Sequence, residues 1–146
     1  MRQPITTFMR TAEEVQDIQL SWARPDIRFF SSGACHILAF VFLATYPQAG
    51  FQPWFIRPAP GFRGSHLYVS NGERAFDAQG YVLADNLVQQ HYAALTATQP
   101  GWQADVFELG LSLAEFCALN NHCAPEDFPG DVWHRAQRYV TQFPAP

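Results

Sequence analysis

The sequence predicts an α+β fold, because amphipathic helical segments lie toward both ends of the chain and an Asn71-Gly72 turn between them is flanked by short strand-like runs. The composition agrees. With 48% hydrophobic and 15% charged residues, the chain reads as one folded domain over 1–146, with no repeat, low-complexity tract or dividing linker. A chain of this size buries roughly 68–70% of its unfolded surface, so its core needs neither disulfide nor metal staples, and no cofactor is implied.

The elements follow from local signals. Thr11 caps a helix running to about Ala23, since Glu14 completes a capping box and Val15, Ile18 and Trp22 share a face; Pro25 stops it. Ser31-Ser32-Gly33 is a turn leading into Cys35 to Leu43, an apolar run that reads as a buried helix with Cys35 in its first turn. Phe51 to Arg57 reads as a strand with Phe51, Phe55 and Arg57 on one side, and Pro58 to Gly64 as an irregular loop. His66 to Ser70 and Arg74 to Asp77 form a hairpin, with a further strand near Tyr81. Leu87, Val88, His91 and Leu95 recur at helical spacing from about Ala84 until Pro100-Gly101. Asp105 to Leu109 is a possible strand, Ser112 and Glu115 box the start of a helix ended by Asn120-Asn121, and Asp131 caps the last. That helix turns Val132, Ala136, Val140 and Phe143 inward and leaves Arg135 and Arg138 in water.

Charge and cysteine usage narrow the function classes. The net charge is −4, every basic side chain is Arg and none cluster, which argues against a nucleic-acid partner. Ile37 to Ala44 is the longest apolar run, far short of the ~20 residues that span a bilayer, so no membrane association is expected. The first thirty positions carry Glu13, Glu14, Asp17 and Asp26 and show no classical signal peptide. Cys35, Cys117 and Cys123 are too few and too irregular for a disulfide framework. The expectation is a cytoplasmic protein, or one exported by a route without a classical signal.

The hairpin carries the chemistry. A two-residue Asn71-Gly72 loop pairs Ser70 with Glu73, Val69 with Arg74, Tyr68 with Ala75, Leu67 with Phe76 and His66 with Asp77. His66 would then oppose Asp77 on one sheet face, with Cβ atoms about 4.5–5.5 Å apart. A carboxylate on one ring nitrogen fixes the tautomer and frees the other as a base, the division of labour in a catalytic triad. Cys35, at a helix start, is where the dipole and free N–H groups favour a thiolate, and Ser31 and Ser32 are candidate extra donors to an oxyanion. Trp54, Phe62 and Tyr68 are candidate substrate contacts, although such aromatics are commonly core. His36 neighbours Cys35 in sequence and does not face it on a helix, so it reads as a structural histidine; His91 reads as half-buried core and His134 as solvated. Cys117, His122 and Cys123 match no usual zinc spacing, so no metal site is expected there.

Ser32-Gly33-Ala34-Cys35-His36-Ile37-Leu38-Ala39, then Ser65-His66-Leu67-Tyr68-Val69, then Phe76-Asp77-Ala78-Gln79-Gly80 resemble the Cys, His, Asp order of the papain-like and transglutaminase-like cysteine hydrolase superfamily. The resemblance covers residues 31–81. It implies a helix bearing the nucleophile packed on a small antiparallel sheet bearing base and acid, with Cys35, His66 and Asp77 in those roles. It also implies peptidase, amidase, deamidase or acyl-transferase chemistry on a protein, peptide or small amide. The chain has no Gln shortly before the Cys and no Cys-Gly-Ser-Cys-Trp run, so the specific family is open. Two other readings remain at this stage. One is a non-catalytic module on the same scaffold that binds a protein partner, and a weaker one is a metal site built from His36, His66 and Asp77.

Overall fold

The computed structural model describes residues 2–146. Its α+β architecture is a five-stranded antiparallel sheet in the order β4-β3-β2-β1-β5 with helices on both faces. The strands are β1 (Gln52–Pro58), β2 (His66–Ser70), β3 (Arg74–Asp77), β4 (Gly80–Leu83) and β5 (Ala104–Glu108). Side chains alternate across these strands, so the sheet divides the interior in two. Phe55, Leu67, Val69 and Phe76 join the core formed with α3 (Asp26–Ser31), α4 (Cys35–Thr45), α6 (Leu113–Asn120) and α7 (Val132–Val140). Ile56, Tyr68 and Ala75 face Leu87 and Leu95 of α5 (Ala84–Thr98), together with Trp102. Among the described residues no helix is long and apolar enough to cross a membrane.

Helix α4 is buried nearly all round, as its lack of a polar stripe requires. Phe42 is fully buried and stacks on Phe76 of β3 with ring centroids 4.7 Å apart, fixing the helix against the sheet. Both capping boxes form: Thr11 with Glu14, and Ser112 with Glu115. Asn121 closes α6 in the left-handed conformation (φ 54°).

Several expectations are corrected. The Thr11 helix is two short ones, α1 (Ala12–Gln16) and α2 (Ile18–Trp22), because Asp17 is extended and its carboxylate accepts from Gln19 N–H, competing with helix continuation. Val15 is consequently exposed. Pro25 does not merely end a helix; it precedes α3, which buries Phe29 and Phe30. Arg135 is not in water. It donates to an Asp26 carboxylate oxygen at 2.8 Å and to the Trp22 and Arg24 carbonyls, with its guanidinium over the Phe29 ring.

The hairpin register differs by two. Val69 pairs with Phe76 and Ser70 with Ala75, and Asn71 N–H bonds the Arg74 carbonyl at 3.1 Å, so the tight loop is Gly72-Glu73. A type I′ turn at Asn71-Gly72 needs positive φ at both residues, but only Gly72 has it (φ 95°). Asn71 instead spends its side chain on the loop, accepting from Arg74 N–H (2.7 Å) and Glu73 N–H (3.0 Å). An even shift exchanges no faces, so His66 and Asp77 remain on the same side.

Candidate active site

Residue Cys35 opens α4, after a turn whose Gly33 has φ 109°. Ala34 supplies no side-chain cap, which leaves the first-turn N–H groups beside the sulfur without one. His66 is the first residue of β2 and Asp77 the last of β3, so both stand at the same end of the sheet. In the observed register Asp77 is diagonal to His66 rather than opposite, and the imidazole spans the diagonal: His66 Nε2 donates to Asp77 Oδ2 at 3.1 Å.

With Nε2 donating to a carboxylate, Nδ1 is the nitrogen left for chemistry. It is buried and forms no hydrogen bond. Burial alone would raise the Cys35 pKa, but interaction with His36 and His66 outweighs it and holds the thiol well below its ordinary 9.0. Burial opposes the charged form of His66 as well, yet Asp77 and Cys35 push its pKa up to about 9. The Cys35 thiol and the His66 imidazole each favour the other's charged form, and no aligned hydrogen bond joins them.

The Asp77 carboxylate is saturated. Besides His66 it accepts Arg2 Nη1 (3.0 Å), Arg2 Nη2 (2.7 Å) and the Gln79 backbone N–H (2.9 Å). Burial opposes its ionisation, but the bonds from His66 and Arg2 hold its pKa far below the usual carboxylate range. Arg2 lies 75 positions from Asp77, and no local sequence signal joins them.

Two further histidines pack around this centre. His91 lies almost parallel to the His66 ring, 5.6 Å between centroids, and donates from Nε2 to the Gly64 carbonyl at 2.7 Å. Burial and the neighbouring His66 charge lower its pKa to about 3, so it packs as a neutral ring. His36 is closer to the thiol than helical spacing suggested. Its Nε2 donates to the Cys123 carbonyl at 2.8 Å and its buried Nδ1 has no partner. Burial disfavours its charged form, but Cys117 and Cys35 raise its pKa to about 9. Both His36 and His66 act on the one thiol, and of the two only His66 has a carboxylate behind it.

In front of Cys35 opens a cleft of about 300 Å³, bordered by Ser31, Ser32, Phe62, Ser65 and His122. The candidate oxyanion donors Ser31 and Ser32 and the aromatic Phe62 therefore lie with Cys35. Trp54 and Tyr68 do not: their side of the sheet faces α5, and they border a separate hollow with Val88 and Gln89. His66 and Asp77 do not border this cleft; they line a narrow crevice shared with Arg2 and His91. Among the described residues, no group of three or more His, Cys, Asp or Glu side chains is placed to hold a metal ion. Comparison with protein-family models, curated proteins and solved structures gives no match.

Proposed function

We propose that this chain is a thiol-dependent hydrolase or acyl transferase, with Cys35 as nucleophile, His66 as acid and base, and Asp77 as orienting carboxylate. The supporting observation is the junction itself: a thiol at a helix start, beside an imidazole whose far nitrogen is held by a buried carboxylate at 3.1 Å. The Cys35 thiolate attacks an amide or related acyl carbonyl carbon, and the C=O electron pair moves onto oxygen, near the first-turn N–H groups of α4 and Ser31 or Ser32. Collapse re-forms the carbonyl and breaks the bond to the leaving nitrogen, which takes the proton from His66. A thioester remains on Cys35. Water or an amine then gives its proton to His66 and attacks the thioester; the sulfur leaves as thiolate and the imidazolium is restored.

Peptidase, amidase, deamidase and transferase outcomes share that first half and differ in what enters the cleft. Turnover of p-nitrophenyl acetate tests the reading. A burst of p-nitrophenolate matching the enzyme concentration is expected, absent in Cys35→Ala and strongly slowed in His66→Ala. Equal hydrolysis by all three proteins would leave the arrangement as packing, the property of a binding module.

A further inference from the structure

Most arginines of this chain have a partner. Arg2 pairs with Asp77, Arg24 with Glu14, Arg57 with Asp105 and Arg135 with Asp26, while Arg28 donates to the Thr7 carbonyl and Arg74 covers the Tyr81 ring. Arg10 and Arg63 border the Cys35 cleft, and no Asp or Glu does. Arg10 Nε is buried without a hydrogen-bond partner. An unpaired buried donor on a cation is costly unless something else answers it.

The surrounding structure packs against the Arg10 side chain and tethers the Arg63 backbone. A Cβ at Gly33 would stand 3.1 Å from Arg10 Nε and 3.2 Å from Cδ, so the glycine two positions before Cys35 leaves the space Arg10 occupies. Arg63 is presented from a tethered backbone. Its N–H donates to Gln99 Oε1 at 3.0 Å, and its carbonyl accepts from Gln99 Nε2 (3.1 Å) and Trp102 Nε1 (2.8 Å). Burial, with His36 nearby, disfavours a charge on His122 and lowers its pKa.

We propose that the cleft selects acyl substrates carrying an anionic oxygen group, carboxylate or phosphate, beside the carbonyl that Cys35 attacks, with Arg10 and Arg63 as its recognition pair. Planar guanidinium forks match both anions. This inference rests on Cys35 being the nucleophile, and its test reads the thiol without needing turnover. Alkylation rates of Cys35 by iodoacetate and by iodoacetamide are compared, with peptide mapping to separate it from Cys123. Iodoacetate should outrun iodoacetamide at Cys35 but not at Cys123, and the advantage should shrink with added salt. Arg63→Gln, at an exposed position, and Arg10→Gln should each reduce the iodoacetate rate about fivefold and leave the iodoacetamide rate unchanged. Inorganic phosphate that slows iodoacetate more than chloride does at equal ionic strength indicates a phosphate-bearing substrate; equal effects indicate a carboxylate. Rapid alkylation by both reagents with no preference for the anion, or an advantage surviving in both variants, overturns the inference alone. Failure of either reagent to reach Cys35 overturns the nucleophile reading and this inference with it.

Discussion

Replacing Asp77 by Asn perturbs two partners at once, and the structure separates their contributions. The carboxylate accepts four bonds, from Arg2 twice, from His66 and from Gln79 N–H. Asn offers one acceptor oxygen, and its amide group sets a donor against either the Arg2 guanidinium or His66 Nε2–H. Breaking a buried ion pair from one side costs about 3–5 kcal/mol, and Arg2, 15% exposed, keeps enough access to water to place the loss near the lower end. With a urea slope of about 1–3 kcal/mol/M, the unfolding midpoint should fall by about 1–3 M. Burst acylation by p-nitrophenyl acetate should drop by up to roughly 10⁴-fold, because the amide favours the wrong tautomer and does not support an imidazolium. Arg2→Met combined with Asp77→Asn removes the orphaned cation. It should recover part of the midpoint without recovering acylation, which a purely structural Asp77 would not do. Asp77→Asn with a wild-type midpoint and wild-type burst rate would refute both halves of the argument.

Alkylation of Cys35 by iodoacetamide should persist at pH 6, where a thiol of pKa 9.0 is only about 0.1% ionised; His66→Ala should move its pH dependence part of the way toward pH 9, with His36 holding the remainder. Stability follows with a definite sign. His66, raised from 6.5 to about 9, contributes fully below pH 6.5 and loses that contribution as pH climbs through about 9. Cys35, lowered from 9.0, contributes above that value and loses its contribution on acidification through its folded pKa, so urea midpoints should peak between the two folded values. Gly64→Ala should cost about 2–4 kcal/mol in a denaturation curve, since φ is 109° and the new Cβ would collide with Leu95 Cδ1 and stand 2.8 Å from its Cγ. Phe42→Ala should cost about 3–5 kcal/mol by the same measurement, because its fully buried ring joins α4 to Phe76 of β3.

What could be read from the sequence was local, and what could not was long-range. Thr11 with Glu14 and Ser112 with Glu115 identify their helix starts because a capping box is complete within four residues. The shared face of His66 and Asp77 was legible despite the wrong register, because parity survives a shift of two. The loop position was missed because Asn71 satisfies itself through its side chain rather than by adopting positive φ. Arg2 on Asp77, Arg135 on Asp26 and Arg10 against Gly33 join segments distant in sequence, and periodicity carries no trace of such pairs. That Trp54 and Tyr68 border a hollow apart from the Cys35 cleft is not legible in the sequence, because strand alternation tells which residues share a face, not which helix covers it.

The central claim, that Cys35 forms an acyl intermediate assisted by His66, is tested most directly by acid-quenching the protein seconds after mixing with p-nitrophenyl acetate and locating the acetyl group by peptide mass spectrometry. The account predicts one acetyl group per chain, as a thioester on Cys35, absent in Cys35→Ala and nearly absent in His66→Ala. Acetyl distributed over Cys117, Cys123 or other side chains, or a Cys35 thioester that forms as quickly without His66, would contradict it.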